Sequence, residues 1–214
     1  DKFNIVVVPV VAPWGYEYNQ RWNSKAEDPN RSFSPDETTH TDESSALIAF
    51  IATLDVSGPS TPENQSGWVM CMDLHENTDS DNSEFMRATA ARDGEQWSPF
   101  CLIDGFYVIG DSNNVTIEID FLKSIISRVS KYMSIVKPDN GTIYGDPVVA
   151  NGVVIIDVGR YGLCQGVTLD ARYTATTEAN PDSRNITLYQ CIIAQLESVI
   201  AALDYIINEY NLNL

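Results

Sequence analysis

The chain has 214 residues, 43% of them hydrophobic and 20% charged, a composition that suits one globular domain and excludes a disordered chain. Lys and Arg number 13 against 30 Asp and Glu, a formal net charge of −17, so nucleic acid and anionic membrane surfaces are excluded as partners by repulsion. The acidity serves solubility, and net charge alone cannot establish a preference for basic substrates.

The sequence opens at Asp1 without a starting Met or a signal peptide, which implies a processed, trimmed or partial chain. Phe3 to Val10 is a continuous apolar, β-branched run and predicts a strand buried on both faces. Residues 11–43 form a long polar segment, and a loop of that length inside a domain is usually functional. Leu47, Ile48, Ile51 and Leu54 recur at helical spacing, predicting a helix over Ser44–Leu54 with Asp42 or Ser44 at its start. Trp68–Leu74 predicts a second buried strand, with His75 just past its end. A short helix follows around Glu84–Arg92, then a strand over Gly105–Ile109.

Glu118–Met133 predicts an amphipathic helix with Phe121, Leu122, Ile125, Ile126 and Val129 on one side. Val153–Val158 and Arg172–Glu178 read as strands, the latter ending on Glu178. The last helix carries a wide apolar stripe: Tyr189, Ile192, Ile193, Leu196, Val199, Ile200, Leu203, Ile206, Ile207 and Tyr210. No apolar run reaches membrane-spanning length. Strands alternating with helices predict an α/β fold: a mixed, mostly parallel sheet flanked by helices on both faces. The whole of residues 1–214 reads as a single domain.

In open α/β sheets ligands bind near the carboxyl ends of the strands. Three features fall there: the loop after the first predicted strand with Arg21, Asn30 and Arg31; His75; and Glu178. Two guanidinium groups, an imidazole and a carboxylate suit hydrolysis of an anionic substrate at a metal. Singly, each has a structural explanation: solvated arginines, a backbone-bonded histidine, a strand-end acid. Four cysteines, Cys71, Cys101, Cys164 and Cys191, are too dispersed for a structural zinc site, and their pairing cannot be read from spacing. Five Asn-x-Ser/Thr sequons, at Asn30, Asn64, Asn114, Asn140 and Asn185, point with the acidity towards a secreted or lumenal setting.

Pro13-Trp14-Gly15-Tyr16 followed by Arg21, and then Asp28-Pro29-Asn30-Arg31-Ser32-Phe33, resembles the zinc carboxypeptidase family. Ala12 stands where the family's turn has Asn. Asp73-Leu74-His75-Glu76 is similar to a zinc-ligand motif of the short, single-domain branch, related to succinylglutamate desuccinylase and aspartoacylase. Asp93-Gly94 and Asp104-Gly105-Phe106-Tyr107 resemble bacterial members of that branch. Thr176-Thr177-Glu178-Ala179-Asn180 resembles the family's catalytic-glutamate strand.

The resemblance implies the fold of a zinc carboxypeptidase and a zinc cofactor. It implies His75 as a metal ligand, Arg21 as oxyanion stabiliser, and Asn30 and Arg31 as the grip on a terminal carboxylate. Glu178 would be the general base and Tyr161 a candidate substrate-capping tyrosine.

A catalytic zinc needs about three protein ligands. The family takes two from a His-x-x-Glu motif upstream of the first segment recognised here, so the resemblance implies an N-terminally incomplete domain. The chain has only two histidines, His40 and His75. His40-Thr41-Asp42-Glu43 has the letters of that motif but follows Asn30-Arg31 and reads as a helix start. Three functions stay open: a carboxypeptidase acting on peptides and completed by a separate N-terminal chain, an inactive binding or structural glycoprotein, and a deacylase of N-acyl amino acids. Asn30 also poses a conflict, because a glycan on it would block the expected pocket.

Overall fold

The computed structural model describes residues 3–56, 58–62, 64, 67–98, 103–114, 119–168 and 171–212. Cys101 and Glu118 lie outside these. Six strands form one sheet: β1 (Met70–Glu76), β2 (Tyr107–Asp111), β3 (Thr142–Ile143), β4 (Asp146–Ala150), β5 (Val153–Ile156) and β6 (Tyr173–Ala179). Their order is β1-β6-β2-β5-β4-β3. The sheet is mixed, as the sequence predicts. Its parallel share is smaller than expected: β1/β6 and β2/β5 run parallel, while β2/β6, β4/β5 and β3/β4 run antiparallel.

The helices are α1 (Pro13–Tyr18), α2 (Asp42–Ala52), α3 (Met86–Asp93), α4 (Ile119–Val129), α5 (Val158–Tyr161) and α6 (Leu188–Glu209). The start of α2 is set by neither predicted residue alone. Thr41 is its N-cap and accepts from the Ser44 N–H, while the Ser44 hydroxyl caps the Thr41 N–H in return. A π turn over Asp81–Phe85 leads into α3.

Alternation along the strands sorts the two faces. Phe106, Val108, Val153, Tyr173 and Ala175 join Phe121, Ile125 and Val129 of α4 and Ala194 and Ile206 of α6 in the main core. The opposite face carries a smaller apolar cluster, Tyr107, Ile109, Val136, Ile143 and Val154, and beside it the polar row described below.

Two expectations are corrected. Phe3–Val10 is not a buried strand: it has no ladder, and Ile5 and Val7 are 66% and 73% exposed. β-branched residues favour a strand only when a neighbour bonds the backbone, and among the described residues none does. On α6 the buried line is Cys191, Ala194, Ser198, Ala201, Ala202 and Ile206, whereas Tyr189, Ile192 and Leu196 of the predicted stripe face outward. Small residues let the helix lie close to the sheet. An 18-residue window of the 22-residue α6 has a mean hydropathy of 1.5, so the helix is long and apolar enough to cross a membrane by composition; it packs on α4 and β6, with 33% of that window buried.

Candidate active site

The site is laid out by strand register. His75 of β1 sits beside Glu178 of β6, and Glu178 sits beside Tyr107 of β2. Residues directly opposite in a sheet share a face, so imidazole, carboxyl and phenol project from one row. His75 lies inside β1 rather than past its end, one residue before the terminal Glu76. Asp73, two residues earlier, shares its face, and Asp73 Oδ2 lies 3.0 Å from His75 Nε2. The His75 backbone is fixed as well: its carbonyl accepts from Gln195 Nε2 of α6 at 2.6 Å.

The second part comes from the loop after α1. Pro13 opens α1, and Gly15 allows the chain to fold back, since a Cβ there would lie 2.7 Å from the Gln20 carbonyl oxygen. Ala12, at the N-cap, gives no side-chain cap. A 3₁₀ turn, Pro29–Arg31, carries the predicted clamp, and Asp28 caps it by accepting from the Asn30 N–H at 2.9 Å. Asn30 is held at both ends: its Oδ1 accepts from the Cys164 N–H at 2.7 Å and its Nδ2 lies 3.0 Å from His75 Nε2. Gly162 (φ +64°) backs the turn, where a Cβ would lie 2.6 Å from the Arg31 carbonyl oxygen.

The arginines differ. Arg21 Nε donates to Asp28 at 3.1 Å, its Nη1 pairs with Asp81 at 3.0 Å, and its guanidinium carbon stands 4.9 Å from the Phe85 ring centroid. Arg31 donates to the Asn30 carbonyl at 2.7 Å and has no carboxylate partner among the described residues. Arg21 is thus a neutralised, ordered cation, while Arg31 offers its fork to solvent.

Burial pushes the Glu178 carboxyl up to about 7, against the pull of His75 and Arg21. Its Oε2 is buried without a hydrogen-bond partner. Burial alone would lower the His75 pKa, but the Asp73 carboxylate outweighs it and raises the imidazole to about 9. Asn30 and Asp73 compete for Nε2. A single ring nitrogen cannot both accept from the amide and donate to the carboxylate.

Arg21, Asn30, Arg31, His75 and Glu178 therefore converge, through charge and hydrogen bonds, on one sheet face. Tyr161, at the end of α5 and next to the Gly162 that backs the Arg31 turn, is 44% exposed, with the Arg160 guanidinium carbon 6.0 Å from its ring centroid. His40 bonds the Ser34 carbonyl at 2.8 Å and Glu43 accepts from Asn23 at 2.9 Å, which makes both part of the ordered start of α2. Asp73, Asp28, Asp81 and Tyr107 are site residues beyond the predicted set. Two-residue spacing on a strand signals Asp73; the others are tertiary neighbours. Cys71, Cys164 and Cys191 are free thiols.

A zinc ion does not find a full set of donors here. Among the described residues no group of three His, Cys, Asp or Glu is arranged to hold a metal. His75 is a suitable single ligand.

No protein-family model matches the chain, and no curated protein matches it. Solved structures do. A protein of Shewanella amazonensis, described only provisionally as a metallopeptidase, aligns with a TM-score of 0.61 at 17% identity, over 92% of this chain and 62% of its own. A similarly described protein of Shewanella denitrificans aligns at 0.59 and 18% identity, over 92% and 60%. A third, from Shewanella baltica, aligns at 0.56 and 17%, over 92% and 61%. The fold is metallopeptidase-like. The chain spans about three fifths of the length of these structures.

Proposed function

We propose that this chain is the substrate-holding and base-bearing part of a zinc metallocarboxypeptidase-type hydrolase that removes C-terminal residues from peptides. One observation carries the reading: Arg31, a guanidinium without a carboxylate partner among the described residues, feels the charge of Glu178, a carboxyl of raised pKa on the face that holds His75. A planar guanidinium binds a terminal carboxylate through two parallel hydrogen bonds. A carboxyl that titrates near neutrality can take a proton from water and return it to a departing amine. Arg21 orders this clamp, since it holds Asp28 and Asp28 caps the turn that presents Asn30 and Arg31. Its expected service to an oxyanion requires release from Asp81. Asn30 Nδ2, the atom a glycan would occupy, faces His75, so the reading requires Asn30 to be unmodified.

Zinc is the cofactor of this reading, with His75 as one ligand. Two more donors would have to come from a segment outside these residues or from a separate N-terminal chain. The lack of a complete set among the described residues, with Arg21 already neutralised, favours a second reading: an inactive member of the fold that binds carboxylate-ended ligands. Deacylation of N-acyl amino acids would use the same grip.

The test takes the protein with any chain that co-purifies with it, removes metal with a chelator, and restores zinc. A peptide with a free C-terminus and an N-acyl amino acid are then offered separately. Zinc-dependent release of the peptide's last residue supports the proposal. Cleavage of the N-acyl compound alone makes it a deacylase, and carboxylate binding without zinc uptake or turnover makes it the inactive form.

A further inference from the structure

We propose that Gln195 is a positioning residue: its side-chain amide braces β1 against β6 from the α6 side of the sheet and so fixes His75 relative to Glu178. The inference rests on the roles given above to those two residues.

One amide makes both bonds. Gln195 Nε2 donates to the His75 carbonyl at 2.6 Å, and Gln195 Oε1 accepts from the Thr177 hydroxyl at 2.5 Å. Thr177 immediately precedes Glu178, and His75 and Glu178 are register partners. The amide therefore spans the two strands at the level of the imidazole and the carboxyl. Its ends are not interchangeable, since the nitrogen only donates and the oxygen only accepts.

The core gives no reason for this polar pair. Tyr173, Ala175 and Ala179, which alternate with the site face along β6, belong to the main apolar core, and Thr177 stands fully buried among them. Ala194 and Ser198, on either side of Gln195 along α6, are fully buried as well. Apolar side chains of similar shape would bury here without needing partners, whereas a satisfied polar pair specifies one geometry.

β1 is the strand that needs a brace. It is the edge of the sheet, bonded to β6 on one side, with no strand on the other among the described residues. The ends of such strands open more readily than a core strand. His75 lies one residue from the end of β1. Just past that end the Asn77 N–H donates to the Ala179 carbonyl at 2.8 Å, so this bond and the Gln195 bond hold the strand on both sides of Glu76. Asp73 and Asn30 meet the imidazole at Nε2, so the backbone at His75 decides where the rest of the ring stands.

The chain has two histidines, so imidazole Cε1–H signals in a carbon-13 NMR spectrum report on His75 with His40 as an internal control. Spectra are taken at one fixed pH in chelator-treated buffer, where turnover is not needed. Gln195→Met, which keeps length and helix preference but loses both bonds, is expected to shift or broaden the His75 signal and leave that of His40 in place. Thr177→Val, which removes the hydroxyl and keeps the shape, should reproduce part of the change, and Thr177→Ser, which restores the hydroxyl, should reverse it. Ile125→Val, a core change on α4, controls for lost stability and should leave both signals unmoved. With zinc restored and any co-purifying chain present, Gln195→Met should lower kcat on a peptide by about 10- to 100-fold with KM nearly unchanged. A His75 signal that Gln195→Met leaves in place, or that Ile125→Val moves as far, overturns the inference. So does a Gln195→Met variant with the parent's kcat. A parent that turns over no peptide, with the signals responding as expected, overturns the proposed function and leaves the brace standing.

Discussion

Replacing Glu178 by Gln should make the protein more stable and less active at once, and the stability change should depend on pH in a defined direction. The carboxyl has an ordinary value of 4.5 and is raised to about 7 by burial in the folded state. A folded-state pKa raised in this way gives stability that is complete below pH 4.5 and is lost as pH climbs through 7. Ionised Glu178 therefore costs the folded protein up to about 3 kcal/mol near neutrality. Gln keeps the shape and removes the charge. The value of about 7 already includes the pull of His75 and Arg21, so the gain should be roughly 3 kcal/mol above pH 7. Urea unfolding followed by tryptophan fluorescence, in chelator-treated buffer at pH 4, 6 and 8, measures this directly. The parent and the variant should nearly coincide at pH 4, and the variant should be ahead at pH 8. An equal difference at all three pH values, or a variant weaker at pH 8, would show that Glu178 is not a desolvated acid and would remove the basis for its role as a base. Under the proposed function the same substitution abolishes turnover.

Two further substitutions probe the clamp. Arg31→Ala should lower affinity for carboxylate-ended ligands by about 10- to 100-fold, the worth of one charge-assisted bidentate contact, with a melting temperature almost unchanged because this side chain is exposed and has no carboxylate partner among the described residues. Calorimetry and thermal melts separate the two effects. Gly162→Ala should destabilise by about 1–3 kcal/mol, because the new Cβ meets the Arg31 carbonyl and the φ of +64° disfavours alanine. It should also weaken ligand binding by displacing Asn30 and Arg31, and a variant as stable as the parent would contradict the packing described here.

How much was legible beforehand differs by element. β6 ended where Glu178 requires, because Tyr173–Ala179 is a self-consistent strand bounded by polar turns. The Asn30-Arg31 turn was legible from its motif, and Asp28 caps it through local hydrogen bonds. Phe3–Val10 misled because β-branched composition reports a capacity for pairing and says nothing of a partner.

The amino-acid sequence by itself determined the α/β class and the positions of most elements, since these follow from short-range hydrophobic period and capping. It also carried the five residues of the site, as residue types in an order resembling a known family. Tertiary structure alone decided which groups meet. Strand register put Glu178 between His75 and Tyr107, and the two-residue step along β1 brought Asp73 onto His75. Chain folding set Arg21 between Asp28 and Asp81 while leaving Arg31 without a carboxylate partner among the described residues. The physical reason is common to all of these. Local sequence fixes backbone preference, whereas burial and charge depend on neighbours far away in the chain, and those two set the pKa of Glu178 and the freedom of Arg31.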